Sequence, residues 1–162
     1  MLRVDHAGEY GARRIYEGQL AVLGRAKSAP VLRHMHEQEV RHLKAFETLL
    51  VERRVRPTAL QPVWHLAGFA LGAATALMGE KAAMACTVAV EEVIGEHYAG
   101  QIGRLGDDEA DLRETLEDFR ADEIAHRDIG LEHGAEETPG YELLSGAIKT
   151  GSRLAIWLSE RI

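Results

Sequence analysis

One cysteine, Cys86, in 162 residues leaves no internal disulfide, no Cys-x-x-Cys redox pair and no thiolate metal cluster, which fits a reducing compartment. Positive charge is also short. Nineteen Lys and Arg stand against 26 Asp and Glu, a net charge of -7, so no nucleic-acid partner is expected. Long hydrophobic runs are missing too. The stretch Val63–Met78 is 16 residues, apolar or small apart from His65 and Thr75, whereas a bilayer span needs about 20; a buried or interfacial helix is expected there instead. The start, MLRVDHAGEYGARR, has no apolar core of a signal peptide and runs directly into helical pattern, so neither a signal peptide nor an N-terminal membrane anchor is expected. Proline occurs only at 30, 57, 62 and 139.

What remains is an apolar fraction of 46%, too high for a disordered acidic chain, in a length that suits one domain spanning 1–162. The intervals between prolines are rich in helix formers, with apolar residues at three-four spacing. That pattern predicts an all-α fold with helices near 5–23, 30–54, 63–79, 81–105, 109–133 and 141–160. Pro30 suits a first helical turn, Pro57 and Pro62 bracket a connection, and Thr138-Pro139-Gly140 breaks the chain before the last helix. In that last segment Leu144, Ile148, Leu154, Ala155 and Leu158 fall toward one side and Lys149, Arg153 and Arg161 among the polar positions. Packing on the bundle is the expected role, with a membrane-surface role for part of the helix as the alternative.

Two Glu-x-x-His motifs occur, Glu39–His42 and Glu123–His126. Residues three apart share a helix face, so each motif can offer a carboxylate and an imidazole to one ion. Nineteen Glu and 8 His predict about one such pair by chance, so position and not number must decide. Following the helical rhythm gives Leu32, Met35, Glu39, His42, Phe46, Leu49 in the second helix and Leu112, Leu116, Phe119, Glu123, His126, Gly130 in the fifth. Both motifs sit in apolar seams that face a core, whereas Glu37, Glu47, Glu52, Glu117 and Asp122 fall off them and read as solvated surface. The first helix carries Asp5, Glu9, Ala12, Tyr16, Leu20, Leu23, and the fourth Met84, Val88, Glu91, Gly95, Tyr98, Ile102, Leu105. Each seam holds one glutamate. Glu92 would lead a seam of smaller residues, which favours Glu91 as the inward carboxylate.

Two residues level with each other on an antiparallel helix pair must have the turn near their midpoint. Glu9 and Glu39 have theirs at Gly24, and Glu91 and Glu123 have theirs at Asp107, beside the turn signal Gly106-Asp107-Asp108. The halves repeat one plan, with 30 and 32 residues between the single glutamate and the Glu-x-x-His. An unpartnered buried carboxylate costs several kcal/mol or takes up a proton. Four of them in one core demand cations, and two divalent ions balance four carboxylates with both imidazoles neutral. Four oxygen and two nitrogen donors suit iron or manganese better than zinc. This is the ligand plan of the ferritin-like carboxylate bundles, so the expected architecture is a ferritin-like four-helix bundle with additional apolar helices.

His34, His36, His65 and His133 read as surface or capping residues. His6 and His97 lie near the proposed ligands, where either could orient a carboxylate or serve only structure. Tyr98 reads as core filler, with a redox-active neighbour of the metals as the alternative.

The chain also resembles the demethoxyubiquinone hydroxylase family, the di-iron monooxygenases of ubiquinone biosynthesis. The resemblance is carried by VDHAGEYGA at 4–12, RIYEGQ at 14–19, VRPT at 55–58, GFALGA at 68–73, AMACTVAVEE at 83–92, HY at 97–98, IAHRDIG at 124–130 and LSER at 158–161. By motif, the family's metal ligands fall on Glu9, Glu39, His42, Glu91, Glu123 and His126. The resemblance implies two iron ions per chain, dioxygen as co-substrate, electrons linked to NADH, and hydroxylation of a polyprenylated methoxy-benzoquinone ring. With no GxGxxG motif after a strand, any nicotinamide contact is expected to be transient or to act through the quinone. The partners implied are the polyprenyl quinone, a membrane surface, and a homo-oligomer or biosynthetic complex. The location implied is the cytoplasmic side of a bacterial cell membrane, or the matrix side of the mitochondrial inner membrane in a eukaryote. Ferritin-like iron storage or detoxification is the competing expectation from the same ligand set. A rubrerythrin-type peroxidase is weakened by the single cysteine.

Overall fold

A computed structural model describes residues 1–162 and contains six α-helices and no strand. They are α1 (Leu2–Leu23), α2 (Ala29–Glu52), α3 (Gln61–Leu77), α4 (Glu80–Ile102), α5 (Ala110–Glu132) and α6 (Tyr141–Arg161). Short 3₁₀ turns at Asp107–Glu109 and Ala135–Glu137 flank α5. Every expected helix is present within three residues of its expected ends. The fourth stops at Ile102, earlier than its apolar pattern, because the chain turns at Gly103–Gly106. The Arg113 guanidinium there donates to the carbonyls of Ile102, Leu105 and Gly106 and so ties the turn to α5.

The hairpins α1–α2 and α4–α5 face each other as the four-helix bundle, and their seams form its interior. Leu32, Met35 and Phe46 of α2 are fully buried, as are Met84 and Val88 of α4 and Leu116 of α5. α4 is buried on nearly every side, because α6 covers the flank that α1 and α5 leave open. That explains why its sequence shows little periodicity.

α3 and α6 lie outside the four. α3 packs on α1 at backbone contact: a Cβ added at Gly18 or Gly72 would overlap the carbonyl oxygens of Phe69 and Ile15, and one at Gly68 would lie 2.9 Å from that of Gly11. α6 is held to α4 by the ion pairs Lys149–Glu92 and Arg153–Glu96, and to α3 by a hydrogen bond of 3.1 Å from Trp64 Nε1 to Ser159 Oγ. Ile148 of α6 is buried, but Leu154 is 54% exposed and joins Leu143 and Trp157 on the outer face. The expectation that Leu154 packs with Ile148 is thereby corrected. The face that α6 buries runs through Ser145, Ile148 and Ser159, with the ion pairs to α4 along its edge, and the neighbours that set this rotation are not visible in its own pattern. Leu66 and Leu77 are likewise exposed on α3. No helix is long and apolar enough to cross a membrane.

Candidate metal centre

The six expected residues converge. The donor atoms of Glu9, Glu39, His42 and Glu123 lie within 4.8 Å of one another, and so do those of Glu39, Glu91, Glu123 and His126. Glu39 and Glu123 belong to both groups and occupy the shared wall between two adjoining positions. Glu9 and His42 complete one position, Glu91 and His126 the other. Glu9, Glu39, His42, Glu123 and His126 have no solvent exposure, and Glu91 is nearly as deep. Glu92, by contrast, faces α6 and pairs with Lys149.

Around the six, the two halves of the chain repeat each other. Tyr16 follows Glu9 by seven residues and donates to Glu91 Oε1 at 2.7 Å; Tyr98 follows Glu91 by seven and donates to Glu9 Oε1. Asp122 immediately precedes Glu123 and accepts from His42 Nε2 at 3.0 Å, while Gln38 precedes Glu39 and accepts from His126 Nε2 at 3.0 Å. These acceptors fix both imidazoles with Nε2 protonated and the Nδ1 lone pair aimed into the centre. His42 Nδ1 lies 3.1 Å from Glu123 Oε1, and His126 Nδ1 lies 3.2 Å from Glu39 Oε1, both out of line for a hydrogen bond. The Phe119 ring stacks on His42 with centroids 4.1 Å apart and helps keep water out.

Several expectations change here. Asp122, half-buried with 29% of its side chain exposed, is more than a solvated surface residue: it accepts from His42 and also pairs with Arg41 at 2.8 Å. Tyr98 is more than filler, since it holds a carboxylate of the centre. His97 reaches Asp5 at 3.2 Å and Gln101 at 2.7 Å, not one of the four carboxylates of the centre, and His6 stacks on Tyr10. His65 Nδ1 and the Tyr10 hydroxyl are hydrogen-bonded at 2.7 Å, which makes His65 a link between α3 and α1.

The donor set fits cations on an observation of its own. Both oxygens of Glu39 and of Glu123, one each of Glu9 and Glu91, and Nδ1 of both histidines are buried without a hydrogen-bond partner. So many orphaned donors in one cavity are tolerable only if positive charge meets them. Without a cation the cluster must hold protons. Burial pushes the carboxyls of Glu9, Glu39 and Glu91 up, and the Glu123 charge adds to the rise. Burial also acts to raise Glu123, but His126 and His42 outweigh it and hold that group at about 2. For His42 burial disfavours the charged ring, yet Glu123 and Glu9 prevail and lift it to about 10.

Apart from the centre, a groove of about 510 Å³ runs between α1, α3, α4 and α6, lined almost wholly by apolar and glycine residues, among them Gly8, Gly11, Leu71, Val90, Ile94 and Ile156. Gly8 adjoins Glu9 and Val90 adjoins Glu91 in sequence, so the same helices carry the groove on one side and the carboxylates on the other.

Four helices that converge two Glu-x-x-His motifs and two further glutamates on adjoining positions define a ferritin-like carboxylate bundle with donors for two metal ions. The family model described as ubiquinone biosynthesis protein COQ7 matches residues 1–159, and the chain belongs to that family. It is 61% identical over 162 residues to a 3-demethoxyubiquinol 3-hydroxylase of Rhodospirillum rubrum, covering 99% of this chain and 76% of that one. Against the mitochondrial NADPH-dependent 3-demethoxyubiquinone 3-hydroxylase of Homo sapiens it is 54% identical over 166 residues, covering 100% and 76%. Against the mitochondrial 5-demethoxyubiquinone hydroxylase of Saccharomyces cerevisiae it is 42% identical over 179 residues, covering 100% and 77%.

Proposed function

We propose that this chain hydroxylates the ring of a polyprenylated demethoxyubiquinone, using dioxygen and two iron ions held by Glu9, Glu39, His42, Glu91, Glu123 and His126. Family membership and the hydroxylase names of its relatives support the reaction. The eight orphaned donor atoms in the buried centre carry the metal part of the reading. Four oxygen-donor carboxylates and two imidazoles suit ferrous iron, and two ferrous ions would supply electrons for reduction of dioxygen.

The chain's own residues hold and shield this centre. Glu39 and Glu123 span the two positions, and Glu9 and Glu91 close the ends. Tyr98 and Tyr16 each hold one end carboxylate by a hydroxyl proton, leaving its other oxygen buried without a hydrogen-bond partner. Asp122 and Gln38 keep the imidazole lone pairs on target. Phe46, Phe119 and Leu116 exclude water, which strengthens every charge interaction inside.

The groove between α1, α3, α4 and α6 receives the polyprenyl tail. Its walls match a hydrocarbon chain, and the exposed Leu66, Leu77, Leu143, Leu154 and Trp157 on its two outer helices would rest in the headgroup region of a membrane, where such a substrate resides. The enzyme is then peripheral to a bacterial or mitochondrial inner membrane, a setting consistent with the mitochondrial names of its eukaryotic relatives. The reductant is nicotinamide-linked; the human relative is named NADPH-dependent.

The deciding experiment loads metal-depleted protein anaerobically with ferrous iron, adds demethoxyubiquinone, a reductant and isotopically labelled dioxygen, and examines the quinone by mass spectrometry. About two irons per chain and one labelled oxygen in the ring are expected. Iron uptake with mineral formation and no ring oxygen would instead indicate storage.

A further inference from the structure

We infer that the two metal positions are unequal, and that the Glu9–His42 position takes the first ion, because a carboxylate stands behind His42 where a neutral amide stands behind His126. This rests on the two-metal reading above. Asp122 and Gln38 occupy equivalent places: each precedes the glutamate of one Glu-x-x-His and reaches the imidazole of the other motif at 3.0 Å. The two contacts match in length, and their acceptors differ in charge.

An imidazole N–H that donates to a carboxylate is more strongly polarised than one that donates to an amide, which makes its other nitrogen a better metal donor. The surroundings preserve the difference. The His42 side chain has no solvent exposure, and Phe119 covers its ring. Arg41 shares the Asp122 oxygen at 2.8 Å, but its side chain is 63% exposed and its charge is screened by solvent.

A second break in the repeat points the same way. One turn before Glu9 lies Asp5, a buried carboxylate that accepts from Gln101 at 2.6 Å; one turn before Glu91 lies Thr87, a neutral hydroxyl within 3.4 Å of the equivalent Gln19. Thus the side of the centre that holds Glu9 and His42 carries two carboxylates, Asp5 and Asp122, with no counterpart on the Glu91–His126 side. Both favour a cation at the first position.

Zinc serves as a diamagnetic probe of the order of filling. Metal-depleted protein with isotope-labelled histidine is titrated with zinc while the ring nitrogens of His42 and His126 are followed by NMR. In the native chain His42 should reach its bound shift during the first equivalent and His126 during the second. Asp122→Asn should weaken the first step roughly 10–100-fold and merge the two. Asp122→Glu should restore the native order. Gln38→Glu should also merge the steps by strengthening the second, and it provides an independent check if Asp122→Asn folds poorly. Binding at His126 first or simultaneous filling in the native chain would overturn the inequality alone, and an Asp122→Asn titration that keeps the native order would overturn its attribution to Asp122. Saturation at one zinc, with His126 never shifted, would overturn it together with the two-metal reading.

Discussion

Tyr98 on α4 gives its hydroxyl proton to Glu9 on α1, and Tyr16 on α1 returns the same bond to Glu91 on α4. Each tyrosine anchors the end carboxylate of the opposite half. Removing either hydroxyl frees one carboxylate to rotate and leaves a buried oxygen without its donor. Tyr98→Phe and Tyr16→Phe should each weaken binding of one of the two ions about tenfold while keeping the native circular dichroism. Two-site metal titrations of both variants check this; unchanged affinities would show that the hydroxyls do not set the carboxylates.

Adjacent residues on α4 should differ sharply. Glu91 faces the centre and Glu92 faces Lys149 on the bundle exterior. Glu91→Ala is expected to lose at least one metal ion and essentially all hydroxylation. Glu92→Ala should keep both metals and lose no more than about 1 kcal/mol with its partly exposed ion pair. Iron content and ring hydroxylation measured side by side decide it, and the reverse result would place the α4 register off by one residue.

The protons held by the metal-free centre predict a pH dependence with a definite sign. Glu39 and Glu91 have folded-state pKa values above their unfolded ones, so the stability they contribute is lost as pH rises through the raised values. His42, lifted to about 10, acts the same way, contributing fully below its ordinary value near 6.5 and losing that contribution toward 10. Glu123, held at about 2, contributes above its ordinary value and loses it only in strong acid. The melting temperature of metal-depleted protein should therefore fall from pH 6 to pH 9, by roughly 2–4 °C per kcal/mol lost. Two bound divalent ions should abolish most of that fall and release protons on binding, more of them at lower pH. Scanning calorimetry and titrations in buffers of different ionisation enthalpy test both halves; a metal-free protein that grows more stable toward pH 9 would contradict the assignment.

Gly11 lines the groove, and a Cβ there meets nothing within 4 Å. Gly11→Leu should fold at least as well as the native chain, since leucine favours helix by close to 1 kcal/mol over glycine. Its side chain would occupy groove volume, so KM should rise several-fold for a long-tailed quinone and little for a short-tailed analogue, with metal content unchanged. Equal effects on the two substrates would remove the tail from this groove.

All six residues of the centre were legible from one chain because buried carboxylates are rare enough to stand out in an apolar seam, and because the midpoint rule levels them across each hairpin. Asp122 and Gln38 were not legible by that route. Their partners are on the opposite hairpin, and a seam drawn along one helix places Asp122 outside it. The available signal was the repeat itself, an acceptor side chain directly before each Glu-x-x-His. The rotation of α6 was hidden for a related reason: Lys149 and Arg153 answer Glu92 and Glu96 on α4, so the polar stripe of the helix faces protein in part and leaves Leu154 and Trp157 outside. The tight seating of α3 was concealed in glycines, which carry no pattern of hydrophobicity to read.

Those glycines set the dimensions of a space that two of them never touch. Gly18 and Gly72 bring α1 and α3 together backbone to backbone, yet neither lines the groove that those helices help to form. A single methyl group at either position would wedge the two helices apart and shift one wall of the groove against the other. The fit of the apolar chamber is thus controlled from behind its wall, and substitutions there would alter what it accepts without touching its contents.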